Sequence, residues 1–325
     1  MAMPPMLRWA LGRVPLSKAE KERLEREEHE ARGFVSNLER LLVAVDQSAN
    51  GKFAARLAGL LAGTHGIAIT VLPLSGRDKI GQGGKQEKNE PGDRVEETLK
   101  AAAEDTKLAQ NSEEEPAPFD VTIRKHHAPT GEAVAEEAKK GYDLLVVGVE
   151  NTRVKNGGFH QDVSRIASAF EGPLAIVAGN GDHLSQPQQS PLHILVPVTG
   201  NEISRRAADV AIAIARACDC PITTLYVATT GTSNGRKRRG FRARQQEQAI
   251  MRDVVEMADR HDVTARTAVH ADVAPHDAIL AEVKKRGHDL IVMGVSRRPG
   301  DKLFFGDTAA AVLEKSPASI VFVAS

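Results

Sequence analysis

The chain has 325 residues, more than one domain usually holds, and its Lys and Arg total of 43 is matched by 43 Asp and Glu. Length therefore points to two domains, and the balanced charge excludes a globally basic nucleic-acid binder. Two cysteines, Cys218 and Cys220, exclude a disulfide framework or a four-cysteine zinc site and fit a reducing, cytoplasmic setting.

The N-terminus opens with MAMPPMLRWAL, apolar for about eleven residues, roughly half of what a helix needs to cross a bilayer. Ser17 and Glu20 then have capping-box spacing ahead of a charged helix on which Leu16 and Leu24 are the large aliphatic residues. Residues 1–37 read as a helical extension or linker. The tail of a membrane segment and an ordinary frayed terminus are its two readings.

From residue 38 the chain repeats itself once. LERLLVAVDQSANGKFAARLAGLLA has its counterpart in PLHILVPVTGNEISRRAADVAIAIARA, GYDLLVVGVE in GHDLIVMGVS, and GPLAIVAG in SPASIVFVAS. Val43 and Val196, Gly148 and Gly294, and Pro173 and Pro317 are separated by 153, 146 and 144 residues, so the repeat is a duplication. Expected boundaries are 38–180 for the first domain and 190–325 for the second, joined by the Gly-, Gln- and Pro-rich stretch at 179–191.

Each repeat alternates short aliphatic runs with helices. LLVAV, IAITVLPL, LLVVGV and LAIVA read as parallel strands buried on both faces. FDVTIRKH and VTARTAVH supply a third strand, each followed by a helix. The pattern predicts an α/β fold of two tandem doubly wound, Rossmann-like domains with parallel sheets. Polar insertions follow each second strand: SGRDKIGQGGKQEKNEPGD in repeat one and the basic GTSNGRKRRGFRARQQ in repeat two. The run Arg236–Arg244 suits an anionic membrane surface or an acidic partner, or is a solvated loop.

LLVAVDQSANGKFAARLAGLLA and DLIVMGVS…FFGDTAAAVLEKSPASIVFV resemble the two ends of a universal stress protein domain, so that residues 38–325 resemble a tandem pair. The N-terminal run followed by a charged helix and this tandem is also similar to the cytosolic C-terminal portion of a bacterial monovalent cation/proton antiporter. The resemblance implies five-stranded sheets of order 3-2-1-4-5, with the repeats packed through their last strands. It also implies self-association through those strands, the final one being an edge available for pairing. The ligand it implies is ATP or another adenine nucleotide, cradled by a turn of pattern G-x2-G-x9-G-[ST] after the fourth strand. Glycines there let the backbone approach phosphate, and the next helix N-terminus offers free N–H groups.

Carried onto this chain, the cofactor-binding residues are Asp46 and Gly148 in repeat one, and Thr199, Gly294, Arg297, Arg298, Gly300, Gly306 and Thr308 in repeat two. Neither repeat is complete. Aligned on Pro173, Asp162 and Val163 stand where Gly-Ser belongs, although Gly157 and Gly158 offer a differently shaped loop. In repeat two, Thr199 replaces the first-strand Asp and Arg297 replaces the second Gly. Asp307 replaces the Ser/Thr, and it repels a triphosphate unless a divalent cation such as Mg bridges them. Its plainer reading is the N-cap of the last helix. His126, His127 and His270 read as strand-end surface histidines. Cys218 and Cys220 read as ordinary buried thiols.

No Walker-type lysine, GxSxG or HExxH signature occurs, so neither a catalytic residue nor a metal site is expected. Three readings stand: a regulatory module sensing an adenine nucleotide or related anion and acting on a partner such as an antiporter membrane domain; a docking scaffold without ligand; and an ATP hydrolase. The expected place is the cytoplasm or the cytoplasmic face of the inner membrane, with no nucleic-acid partner.

Overall fold

A computed structural model describes residues 33–74, 95–102, 120–124, 130–154, 157–228, 231–233, 236–238, 241–298 and 303–325. The expected helix within residues 1–32, the Gly-rich insertion at 75–93, His126, His127 and Gly300 lie outside the described residues.

A short 3₁₀ turn, Val35–Asn37, leads into β1 (Arg40–Val45), α1 (Ala49–His65), β2 (Ala68–Pro73) and β3 (Val121–Ile123). Then follow α2 (Thr130–Ala138), β4 (Leu144–Gly148), the hairpin β5 (Arg153–Val154) and β6 (Gly158–Phe159), α3 (Gln161–Ser168) and β7 (Leu174–Ala178). The stretch between repeats is not a bare linker, since α4 (Asp182–Ser185) lies in it. Repeat two holds β8 (Ile194–Val198), α5 (Glu202–Ala217), β9 (Ile222–Ala228), β10 (Gly231–Ser233), β11 (Arg236–Arg238) and α6 (Phe241–Asp259). It ends with β12 (Ala265–Ala271), α7 (Pro275–Arg286), β13 (Leu290–Val295), α8 (Asp307–Lys315) and β14 (Ser319–Ala324).

Local chemistry sets the helix ends. Ser48 caps α1, its hydroxyl accepting from Gly51 N at 3.0 Å, and Gly66 closes the helix in the left-handed region. Asn201, at the equivalent place in repeat two, caps α5 by accepting from Ser204 N at 2.8 Å. Pro275 opens α7 and Gly287 ends it at φ +68°.

The strands form one ten-stranded sheet in the order β12-β9-β8-β13-β14-β7-β4-β1-β2-β3. Within each repeat this is the order 3-2-1-4-5, all parallel. The repeats meet where β14 runs antiparallel to β7, with Phe322 opposite Ile176 and Val321 opposite Val177. This corrects one expectation: β14 is an interior strand, its open side already paired within the chain, so it is no free edge. The basic insertion is likewise not simply a loop, because β10 and β11 pair as an antiparallel ribbon.

Both cores cross the junction. On one face, apolar residues of α1, α5, α6 and helical residues 95–102 form a single cluster, and α1 packs directly on α5. On the other, α2, α3, α7 and α8 share a second cluster with the opposite side of the same strands. Strands buried on both faces need continuous apolar runs, which is why β1, β4, β7, β8 and β14 alternate so little.

Candidate functional site

In open parallel sheets the ligand crevice lies beyond the carboxyl ends of the strands, between those whose crossovers diverge. Here that places one crevice between β1 and β4 and another between β8 and β13.

In repeat one the carboxylate at the end of the first strand is engaged by the protein's own donors. Asp46 ends β1, and its Oδ1 accepts from Ser48 N at 3.1 Å and from the Ser48 hydroxyl. Its Oδ2 accepts from Glu150 N at 2.7 Å, just past β4. Gly148 is small for packing reasons, since a Cβ there would lie 2.2 Å from the Ala54 Cβ on α1. Asn50, in the first turn of α1, is buried. Its Nδ2 donates to Val149 O at 2.8 Å, Thr152 Oγ1 at 3.0 Å and Val177 O at 3.0 Å, and its Oδ1 accepts from Gly179 N at 2.7 Å. One side chain thus holds the ends of β4 and β7 against α1.

The turn after β4 reaches toward repeat two. Gly157, at φ +72°, brings the hairpin so close to α8 that a Cβ would lie 2.5 Å from Ala310 O. Arg153 donates to Ala178 O at 3.2 Å, Gly179 O at 3.1 Å and Leu313 O at 3.4 Å, the last belonging to α8. Phe159 completes an aromatic cluster with Phe305 and Phe322, its ring centroid 5.2 and 5.5 Å from theirs. The α3 N-terminus is itself closed: His160 caps it, Nδ1 accepting from Asp162 N at 3.3 Å, and Asp162 adds a carboxylate to the first turn.

The structure also corrects the alignment made on Pro173. His160 and Gly306 are the N-caps of equivalent helices, 146 residues apart like Gly148 and Gly294. The offset drops to 144 only afterwards, at Glu171 and Gly172. His160, not Asp162, therefore stands at the position of Gly306.

In repeat two the end of the first strand is more exposed, Thr199 standing where repeat one has the half-buried Asp46. Thr199 is exposed at the end of β8, and its N donates to Ser204 Oγ at 3.3 Å. Gly294 repeats the packing role of Gly148, as a Cβ would sit 2.4 Å from Ile203 O. The two arginines divide. Arg297 donates to Phe170 O at 2.7 Å and Gly172 O at 3.0 Å in repeat one, and burial pushes its pKa below the ordinary arginine value. Arg298 instead is exposed, with its guanidinium 5.6 Å above the Phe304 ring and over Gly306. A Cβ on Gly306 would lie 3.0 Å from Arg298 Nη2.

Gly306, at φ +97°, is the N-cap of α8 and supplies no side-chain cap. Asp307 is the first helical residue, one place beyond the N-cap role expected of it, and is exposed. Thr308 follows it, half-buried. Of the expected site residues in repeat two, Arg298 and Gly306 are brought together, Gly294 packs on α5, Thr199 ends β8, and Arg297 is drawn toward repeat one. A cavity of about 490 Å³ bordered by Gln245, Gln248, Ala249 and Arg252 lies along α6 and touches none of these residues.

Other sequence candidates resolve differently. Cys218 and Cys220 are free thiols, and burial pushes Cys220 up to about 12. His270 is not a bare surface histidine, since its Nε2 lies 2.8 Å from Oε2 of the fully buried Glu282, which also meets Arg286 Nε at 2.6 Å. Burial raises the Glu282 pKa, but the His270 hydrogen bond and the Arg286 charge outweigh it and hold the carboxyl below its ordinary value. Glu137 is the fully buried counterpart in repeat one, accepting from Tyr142 OH at 2.6 Å. No group of three metal-ligating side chains occurs among the described residues.

Ten strands in a doubled 3-2-1-4-5 order define a tandem doubly wound, Rossmann-like α/β fold. A model described as the universal stress protein family matches residues 37–163 and 192–324, and the chain belongs to that family. Universal stress protein MJ0531 of Methanocaldococcus jannaschii is 26% identical over 157 residues, which is 46% of this chain and 88% of that protein. Among solved structures, a universal stress protein from Archaeoglobus fulgidus superposes with a TM-score of 0.51 at 16% identity, covering 88% of this chain and 98% of that one. PA1789 from Pseudomonas aeruginosa, described as functionally unknown, gives a TM-score of 0.50 at 14% identity, covering 89% and 94%. Both likenesses show the fold. No helix among the described residues is long and apolar enough to cross a membrane.

Proposed function

We propose that this chain is a regulatory module of universal stress protein type in which repeat two binds an adenine nucleotide and repeat one is architectural. The observation that carries the reading is the contrast between two equivalent helix starts. At α3, the His160 side chain caps the N-terminus, and both helices carry an aspartate in the first turn. At α8, Gly306 supplies no side-chain cap, and the Arg298 guanidinium lies 3.0 Å from where its Cβ would be. Backbone donors, a helix dipole and a guanidinium together favour a phosphate.

Thr199 and the end of β8 are then left for the sugar or base. Asp307 opposes a triphosphate, so ATP requires a divalent cation such as Mg²⁺ between them, whereas AMP does not. The signal passes to a partner, for which the N-terminal resemblance suggests a cation/proton antiporter. Binding without turnover is expected.

Calorimetric titration with AMP, and with ATP with and without Mg²⁺, tests this. Arg298→Ala is expected to weaken binding at least about tenfold, the loss of a charge-assisted contact. Asp46→Ala is expected to leave it unchanged. No heat with any nucleotide, or dependence on Asp46 alone, overturns the assignment. The docking scaffold is the second reading, favoured by the Arg153 and Arg297 contacts, which use both phosphate turns to join the repeats.

A further inference from the structure

The first half of α6 does what helices of this fold otherwise avoid. Residues 241–246 are all exposed, and the first buried residue of the helix is Met251. An amphipathic helix keeps an apolar stripe against its sheet along its whole length. This one stands clear for its first turns and carries Arg242 and Arg244 there, with no acidic residue in the first turn. Cations at a helix N-terminus oppose the macrodipole, so the arrangement does not serve the stability of α6. Neither arginine meets an acidic side chain among the described residues. Phe241, which opens the helix, is 76% exposed. In the sequence, Arg236, Lys237, Arg238 and Arg239 precede it, and no acidic residue interrupts positions 236–244.

Two placements choose the partner. Met251, Val254, Met257 and Ala258 anchor α6 in the same cluster as α1 and α5, so the helix lies on that face of the sheet. The chain enters the fold on this same face. Val35 N donates to the buried Asp209 of α5 at 2.7 Å, and Gly33, at φ +88°, sits against that carboxylate. Upstream of Gly33 the sequence holds the apolar MAMPPMLRWAL with Trp9. A basic helix start tipped by an aromatic ring, on the face where the described chain begins downstream of an apolar, Trp-bearing sequence, matches the chemistry of an anionic bilayer surface. We infer that the α1–α5–α6 face docks on anionic lipid through Phe241, Arg242 and Arg244. The inference does not depend on nucleotide binding at α8.

Flotation of the full chain with vesicles tests the inference. It is expected to float with phosphatidylglycerol-containing vesicles, to be left behind by pure phosphatidylcholine, and to be released as salt is raised. At about fivefold per surface arginine, an Arg242→Gln/Arg244→Gln variant partitions roughly 20- to 30-fold more weakly. Phe241→Ser removes the part of binding that survives salt. All three positions are exposed, and unchanged circular dichroism and thermal unfolding confirm that the variants fold. The inference is overturned if the chain ignores anionic vesicles or binds both compositions equally. It is equally overturned if the double variant floats like the parent, or if RNA or an acidic peptide is bound while vesicles are not.

Discussion

Arg153 and Arg297 leave corresponding turns, each between the fourth strand and last helix of its own repeat, and each donates to carbonyls of the other repeat. Arg153 reaches Leu313 O at 3.4 Å on α8, and Arg297 reaches Phe170 O at 2.7 Å just beyond α3. Carbonyls at helix C-terminal ends have no intrahelical donors and carry partial negative charge, so a guanidinium is a suitable partner for them. Each of these turns thus gives one arginine to a reciprocal tie between repeats.

Adjacent arginines should therefore separate stability from binding. Arg297→Ala removes two charge-assisted hydrogen bonds and is expected to lower unfolding free energy by about 2–3 kcal/mol. Nucleotide affinity should be little altered. Arg298→Ala should do the reverse, changing stability by less than about 0.5 kcal/mol. Urea unfolding and calorimetry on the two variants check this. Equal effects of both on binding would remove the division of labour.

Asn50→Ala should be among the more damaging single changes in repeat one. It strips four hydrogen bonds from a buried network joining α1, β4 and β7. Leaving Val177 O and Gly179 N short of partners is expected to cost about 3 kcal/mol. Hydrogen exchange at the ends of β4 and β7 should accelerate more than at β13.

Gly157→Ala should be more destabilising than Gly141→Ala, although both have positive φ, +72° and +77°. At Gly157 the new methyl meets Ala310 O at 2.5 Å, while at Gly141 nothing lies within 4 Å. Backbone strain alone accounts for about 1 kcal/mol at Gly141, and overpacking adds roughly 1–3 kcal/mol at Gly157. Thermal denaturation of the pair isolates the inter-repeat contact.

Acid should weaken the fold partly through His65. Burial, with the nearby His261 and Arg216 charges, lowers its pKa to about 4. Between that value and the unfolded histidine near 6.5, the unfolded chain binds more protons, so stability falls as pH falls through this window and levels off below it. The upper limit is roughly 3 kcal/mol, at about 1.4 kcal/mol per unit. His65→Leu should flatten the pH dependence of urea unfolding over that range. An unchanged slope would assign the acid sensitivity to other groups.

The strands and helices of each repeat were legible because buried parallel strands require unbroken aliphatic runs and their helices an apolar stripe. LLVAV and DLLVVGV announce themselves. So did the family, through the order of Asp46, Gly148 and the Gly306 turn. The use of those turns was not legible. Nothing about Arg153 or Arg297 in sequence distinguishes a phosphate ligand from a carbonyl tie, because the acceptors lie 160 and 127 positions away. Asn50 looks like any first-turn polar residue, and Glu137 and Glu282 like solvated helix charges. Their burial follows from which helix face meets the sheet. A comparison of the two third helices, which place glutamates at equivalent points, is the one signal that could have found them.

The β7–β14 seam has a consequence for how the two halves can change. In a symmetric pair of separate chains, every substitution at such a seam appears twice, and both copies of a crevice alter together. Here the two sides are encoded by different stretches of one chain. His160 can close one helix start while Gly306 keeps the other open. Dilution cannot part the halves, so the unfolding midpoint should not vary with protein concentration as it would for a dimer. Joining the sheets covalently frees each crevice to evolve alone.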